Sequence, residues 1–227
     1  MKQTIKTTYI EGENIKRLEP IKANTTANNE IRVFLWHHTM TRATLDKCTE
    51  ELKLNIHTPD LDALADKRYI EKLSIRILLA VLIGIGKENN IQYHATGRPY
   101  LPQSPFEISI SHTQHTYALS LSTIRHGIDI EKWSDKPQRV AQMYVNKQDY
   151  LSEHALTQKS IWHTTLWSAK EAVYKLYDQA GLSFKNDILV QEWGTDCLQM
   201  LSPRLNKECN VRYTCYPHFV LTIAYQP

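Results

Sequence analysis

Two long stretches of helical text, residues 59–83 and 159–180, each sit among short strand-like runs, and that alternation limits the folds open to the chain. In the first stretch apolar side chains recur at Leu61, Leu64, Ile70, Leu73, Ile77, Ala80 and Val81, the spacing of a helix that buries one stripe. Pro59 starts this helix and Gly84 and Gly86 end it, while Gly181 ends the second. A strand over residues 31–36 and helical text over 41–52 come before the first helix; short strands follow it at 91–94, 106–110, 117–122 and 127–130. Residues 137–143 and 147–156 read as helical, and three or four strands run from 187 to about 225. Residues 1–30 are polar and lack a strong pattern, with 24–29 a loop. The order is strand, long helix, strands, then strand, helices, long helix, strands. It predicts an α+β fold of two roughly duplicated halves, each a small sheet with a long helix. The midpoint falls near residues 121–124, which divides the chain into residues 1–120 and 121–227. No linker rich in Pro, Gly or Ser separates the halves, so a shared interface is expected.

Composition narrows the function. A chain of 227 residues fits one large domain or two small ones and supports a sizeable core. No apolar run approaches the length of a bilayer span, and the first ten residues lack the apolar core of a signal peptide, so the cytoplasm is the default. Cys48, Cys197, Cys209 and Cys215 are scattered without a C-x-x-C and read as ordinary thiols. Cys209 and Cys215 would face each other in a C-terminal hairpin, but a reducing compartment disfavours a bridge. The net charge of +3 is too small to argue for nucleic acid and suits an anionic substrate and an anionic partner.

The chemistry concentrates in two segments. Gly127-Ile128-Asp129-Ile130-Glu131 reads as a strand, whose alternation points Asp129 and Glu131 the same way. Trp167-Ser168-Ala169-Lys170-Glu171-Ala172-Val173-Tyr174-Lys175 reads as a helix, with Glu171 and Lys175 one turn apart on one face. Taken singly, the first is an ordinary polar strand end and the second a solvated helix pair. Brought together, three carboxylates and a lysine make the oxygen-donor set for a hard cation on a phosphate substrate.

The text around these segments resembles the 4′-phosphopantetheinyl transferases. Gly127 to Glu131, then Leu166-Trp167-Ser168-Ala169-Lys170-Glu171 and Lys175, look like that family's signature. Gly97-Arg98-Pro99-Tyr100 resembles its G-K-P-Y segment and Ser109-Ile110-Ser111-His112-Thr113 its N-I-S-H-S segment. Arg76 matches a basic helix position of the longer, Sfp-type (surfactin-activating) members, and Gly181-Leu182-Ser183 their G-L-S. The resemblance implies a pseudo-twofold α+β fold with the ligand in the cleft between halves. It implies transfer of the 4′-phosphopantetheine arm of coenzyme A to a serine of an apo acyl or peptidyl carrier protein, with release of 3′,5′-ADP. Coenzyme A and carrier proteins are both anionic, as the charge suggests. The implied metal is Mg2+, held by Asp129, Glu131 and Glu171. Glu171 is the implied base, directly or through a water on the metal. Lys175 stabilises the phosphate or protonates the leaving oxygen, or else forms an ion pair that holds Glu171. Arg76, Arg98, Ser111 and His112 form the implied coenzyme A set, with Arg76 and His112 on the 3′-phosphate and Lys170 near the phosphates. Arg98 replaces the family's more frequent lysine and keeps the charge, and Thr113 stands where serine is frequent. Such enzymes are typically monomers.

Two other readings remain open. One is a coenzyme A- and carrier-binding module without transfer. The other is a metal hydrolase using His112, His115, Asp129 and Glu131, disfavoured because the histidines fall at a strand turn and lack H-E-x-x-H spacing.

Overall fold

The strand expected at 31–36 becomes β4 (Glu30–His37) in a computed structural model of the chain, and residues before it, which carry no strong pattern in the sequence, form β1 (Thr7–Ile10), β2 (Glu13–Arg17) and β3 (Ile21–Lys22). The structure describes residues 7–10, 13–17, 21–22, 30–56, 58–84, 91–149 and 158–227. The predicted loop at 24–29, Gly86 and most of the predicted helix at 147–156 lie outside the described residues. Helices α1 (Arg42–Glu51), α2 (Pro59–Asp62) and α3 (Asp66–Ile83) follow β4. Then come β5 (Gln92–Tyr93), β6 (Pro99–Tyr100), β7 (Glu107–Thr113), β8 (Thr116–Ser122) and β9 (His126–Lys132). Helix α4 (Lys136–Arg139) and a 3₁₀ turn at Ala141–Met143 lead toward α5 (Lys159–Tyr177). Strands β10 (Leu189–Trp193), β11 (Cys197–Ser202), β12 (Lys207–Cys215) and β13 (Phe219–Tyr225) close the chain. The fold is α+β, with antiparallel pairing in both large sheets.

Three details depart from the sequence reading. The helix expected over 59–83 is broken, because Ala65 is extended before α3 begins. Arg42 of α1 takes up the carbonyls exposed there, donating to Asp62 O at 2.8 Å and Leu64 O at 3.1 Å. Helix α5 stops at Asp178, in the left-handed region at φ 52°, three residues before Gly181. Cys209 and Cys215 lie on one strand rather than across a hairpin, and both are free thiols.

One large sheet runs β1-β2-β4-β8-β7, with β3 paired to β4, a second runs β10-β11-β12-β13-β9, and β5 and β6 form a small two-stranded sheet. Each large sheet buries one face under its long helix. Phe34, Trp36, Leu119 and Leu121 pack with Leu73 and Ile77 of α3, and Val211, Val220 and Ala224 pack with Leu166, Val173 and Leu176 of α5. A third cluster joins the halves: Ile31, Val33 and Leu35 of β4 meet Ile128, Ile130, Leu221 and Ile223 of β9 and β13. The sheet edges β7 and β9 are joined by side chains. Ser109 Oγ accepts the Ile128 N–H at 3.0 Å and Ser111 Oγ the Ile130 N–H at 3.1 Å. Because these hydroxyls replace a backbone ladder, the strands stand apart and leave a cleft along the seam.

Candidate active site

The cleft holds about 530 Å³ and lies where β7, β9 and α5 meet. Gly127 lets α5 come this close: a Cβ there would collide with the Ala172 carbonyl and sit 2.6 Å from Leu176 N. The close approach carries Lys175 onto β9. Its ammonium donates to Asp129 Oδ1 at 2.8 Å and to Ile128 O at 3.0 Å. Of the partners open to Lys175 from the sequence, the ion pair forms with Asp129 and not with Glu171.

Asp129, Glu131, Glu171 and Lys175 all line this cleft. Asp129 is buried and well supplied with donors. Ser111 Oγ donates to Oδ1 at 2.8 Å, beside Lys175, and Ser168 Oγ to Oδ2 at 2.9 Å. The two glutamates are different. Burial pushes the Glu131 carboxyl up to about 7, with Asp129 and Glu171 adding to the rise and Lys136 and Lys175 opposing it. Burial also raises Glu171, reinforced by Asp129 and opposed by Lys175. Two half-buried carboxylates, both raised by burial and by Asp129, mark an excess of negative charge that a cation relieves. The donor set is all oxygen, which fits a hard divalent ion held by one or two carboxylates together with substrate phosphate. Among the described residues no three His, Cys, Asp or Glu side chains stand close enough to close on an ion by themselves.

The residues implied for coenzyme A divide. Arg98, Ser111 and His112 line the cleft. Arg98 is buried and donates to the Lys175 carbonyl, to Glu107 Oε2 at 3.0 Å and to His126 O at 3.2 Å. Three of its five N–H groups are thus committed to protein. His112 stands 3.8 Å from Glu71 with its side chain 41% exposed, and partial desolvation of the ring against the cleft holds it below the usual range against the pull of that carboxylate. Arg76 is not one of the residues that line the cleft. It donates to Lys72 O at 3.3 Å, and Tyr93, a cleft residue, interacts with it electrostatically.

Lys170 does not line the cleft. The resemblance implied a place near the phosphates; in the structure its side chain is 0% exposed and turned into the C-terminal half. Its three donors go to Asp149 Oδ2 at 2.6 Å, Tyr144 O at 2.9 Å and Phe184 O at 2.9 Å. Consecutive residues on a helix point about 100° apart, so Lys170 leaves the face that carries Glu171. The sequence reading also left Ser168 and Asp149 without a role. The signal for Ser168 was present, since positions 168, 171 and 175 share one helix face. Asp149 had none, since it lies 21 positions from its partner in a separate segment.

A strand carrying two carboxylates, a helix carrying a third with a lysine, and serines bridging the halves stand together at this cleft. Residues 125–222 match the 4′-phosphopantetheinyl transferase superfamily. The matched segment holds Asp129, Glu131, Ser168, Glu171 and Lys175 and spans less than half of the chain. Arg76, Arg98, Ser111 and His112 precede it. No curated protein matches the chain. Among the described residues, no helix is long and apolar enough to cross a membrane.

Proposed function

We propose that the protein is an Sfp-type phosphopantetheinyl transferase, a holo-acyl-carrier-protein synthase that acts on coenzyme A and an apo acyl or peptidyl carrier protein. The observation that carries this reading is the pairing of Glu131 and Glu171, both raised, across a cleft in the segment matched to that superfamily. The carrier's serine oxygen forms a bond to the pantetheine-side phosphorus of coenzyme A, and the bond from that phosphorus to 3′,5′-ADP breaks. Glu171 accepts the serine proton, a role that its raised proton affinity suits. Lys175, fixed by Asp129, offsets charge on the leaving phosphate. His112 and Arg76 take the 3′-phosphate, and Arg98 contributes its uncommitted N–H groups to the phosphates. Asp129, Glu131 and Glu171 would hold Mg2+ together with oxygens of the substrate phosphates, and the bound ion would neutralise charge on the pyrophosphate. Arg76, Arg98 and His112 fall in residues 1–120 and the three carboxylates with Lys175 in 121–227, so the substrate spans the halves. The enzyme works as a cytoplasmic monomer.

The test is the intact mass of an apo carrier protein after incubation with this protein, coenzyme A and Mg2+, with and without EDTA. A gain of one phosphopantetheine that EDTA abolishes, and that Glu171→Gln and Asp129→Ala each reduce at least a hundredfold, is the expected result. Coenzyme A binding without transfer to any of several carriers would favour the binding-module reading.

A further inference from the structure

Ser168 lies three residues before Glu171 and seven before Lys175, on the face of α5 that meets β9. Its hydroxyl donates to Asp129 Oδ2 at 2.9 Å. Behind it, Thr222 Oγ1 of β13 stands 2.9 Å from Ser168 Oγ and donates to the Ser168 carbonyl at 2.9 Å. Ser168 and Thr222 are both 0% exposed, so neither hydroxyl has water as an alternative partner. The other oxygen, Oδ1, already receives Ser111 and Lys175, each at 2.8 Å. A carboxylate offers about four lone-pair sites, two on each oxygen. Three are filled here, and the one that remains is on Oδ2, the oxygen whose direction Ser168 fixes.

We propose that Ser168, backed by Thr222, is a positioning residue that orients Asp129 Oδ2 for a divalent cation in the cleft. The inference rests on the transferase reading for the identity of the cleft, and on the hydrogen-bond geometry for the role. Ser111 has a second duty, since its Oγ also accepts the Ile130 N–H, and removing it strands a backbone donor at the seam. Ser168 lacks that complication: its Oγ serves only Asp129 and Thr222 among the described residues. Ser168→Ala therefore removes an orienting donor at a helix position where alanine is favourable. Hydrogen-bond partners of ligating groups change metal affinity about ten- to a hundredfold when removed.

The experiment is a titration of the full chain with Mn2+ in the presence of coenzyme A, reading unbound Mn2+ by electron paramagnetic resonance against a protein-free blank. Thermal unfolding is followed in parallel. Ser168→Ala is expected to weaken Mn2+ binding about tenfold or more with little change in melting temperature. Ser168→Thr, which keeps the hydroxyl, should recover most of the affinity, and Thr222→Val should weaken it in the same direction by less. In carrier assays Ser168→Ala should raise the Mg2+ concentration for half-maximal rate while leaving the KM for coenzyme A near wild type. Unchanged Mn2+ affinity in Ser168→Ala overturns the proposal. So does a loss that follows the melting temperature across all three variants, or a wild type that holds no Mn2+ beyond the blank. Failure of the transferase reading shows itself separately, as no carrier modification by a wild type that binds Mn2+ in a Ser168-dependent way.

Discussion

Asp149 and Lys170 face each other at 2.6 Å with both side chains 0% exposed, and the pair ties three parts of the C-terminal half together. Asp149 accepts the Asn146 N–H at 2.7 Å and the Val190 N–H at 3.0 Å, while Lys170 holds the carbonyls of Tyr144 and Phe184. Lys170→Met leaves a buried carboxylate without its counter-charge, which costs about 3–5 kcal/mol. Urea unfolding should show a loss of that size, while calorimetric affinity for coenzyme A stays near wild type. A folded variant of normal stability with weak coenzyme A binding would return Lys170 to the phosphates. The contrast with Asp129, Glu131, Glu171 and Lys175 shows what local pattern can carry. Strand alternation and helical spacing set which of those four share a face, so their meeting in one cleft was legible. Which surface Lys170 meets on its own side of α5 depends on the segment carrying Asp149, and no local periodicity encodes that.

Elements were legible to the extent that their ends are set locally. Strands β4, β7, β8 and β9 and helices α3 and α5 fall where alternation and helical period placed them, whereas β1, β2 and β3 carry no such pattern, and the break before α3 depends on Arg42 arriving from another helix. Gly127 belongs at this scale. Its position ahead of Asp129 reads as a simple strand start, whereas in the fold it sets the distance between β9 and α5. Gly127→Ala places a methyl group against the Ala172 carbonyl and Leu176 N, which are helix backbone and cannot rotate aside. Overpacking of this kind costs about 1–3 kcal/mol or more. The helix must also move outward, and Lys175 moves with it, away from Asp129 and Ile128 O. The variant is expected to melt lower and, at temperatures where it remains folded, to transfer at least tenfold more slowly with the KM for coenzyme A less affected. Full activity in a destabilised Gly127→Ala protein would show that the approach of α5 matters to folding alone.

The two halves form one molecule through a seam in which the β9 edge is satisfied by side chains: Arg98 on His126 O, Lys175 on Ile128 O, and Ser109 and Ser111 on the Ile128 and Ile130 N–H groups. His126 sits where the chain passes from one half to the other and is 0% exposed. Its Nε2 is 2.7 Å from Ser120 Oγ and its Nδ1 3.0 Å from Ile124 O. Burial lowers its pKa to about 4, with Arg98 adding to the depression. A base with a folded pKa below its unfolded value near 6.5 binds fewer protons in the native state. Stability is therefore complete above about pH 6.5 and falls as the pH drops toward 4. His38, lowered to about 4 by burial and by His37 and His115, acts in the same direction. Glu131 and Glu171 act in the opposite direction, since carboxyls with raised proton affinity favour the folded state as the pH falls from 7. The wild-type curve is the sum, so the difference between two proteins is the informative quantity. His126→Gln removes one titrating group and keeps a polar side chain beside Ser120. Between pH 7 and pH 5 the wild type should lose about 1–2 kcal/mol more than the variant, by urea midpoints at each pH. Equal losses in the two proteins would mean that His126 does not remain neutral at the junction of the halves.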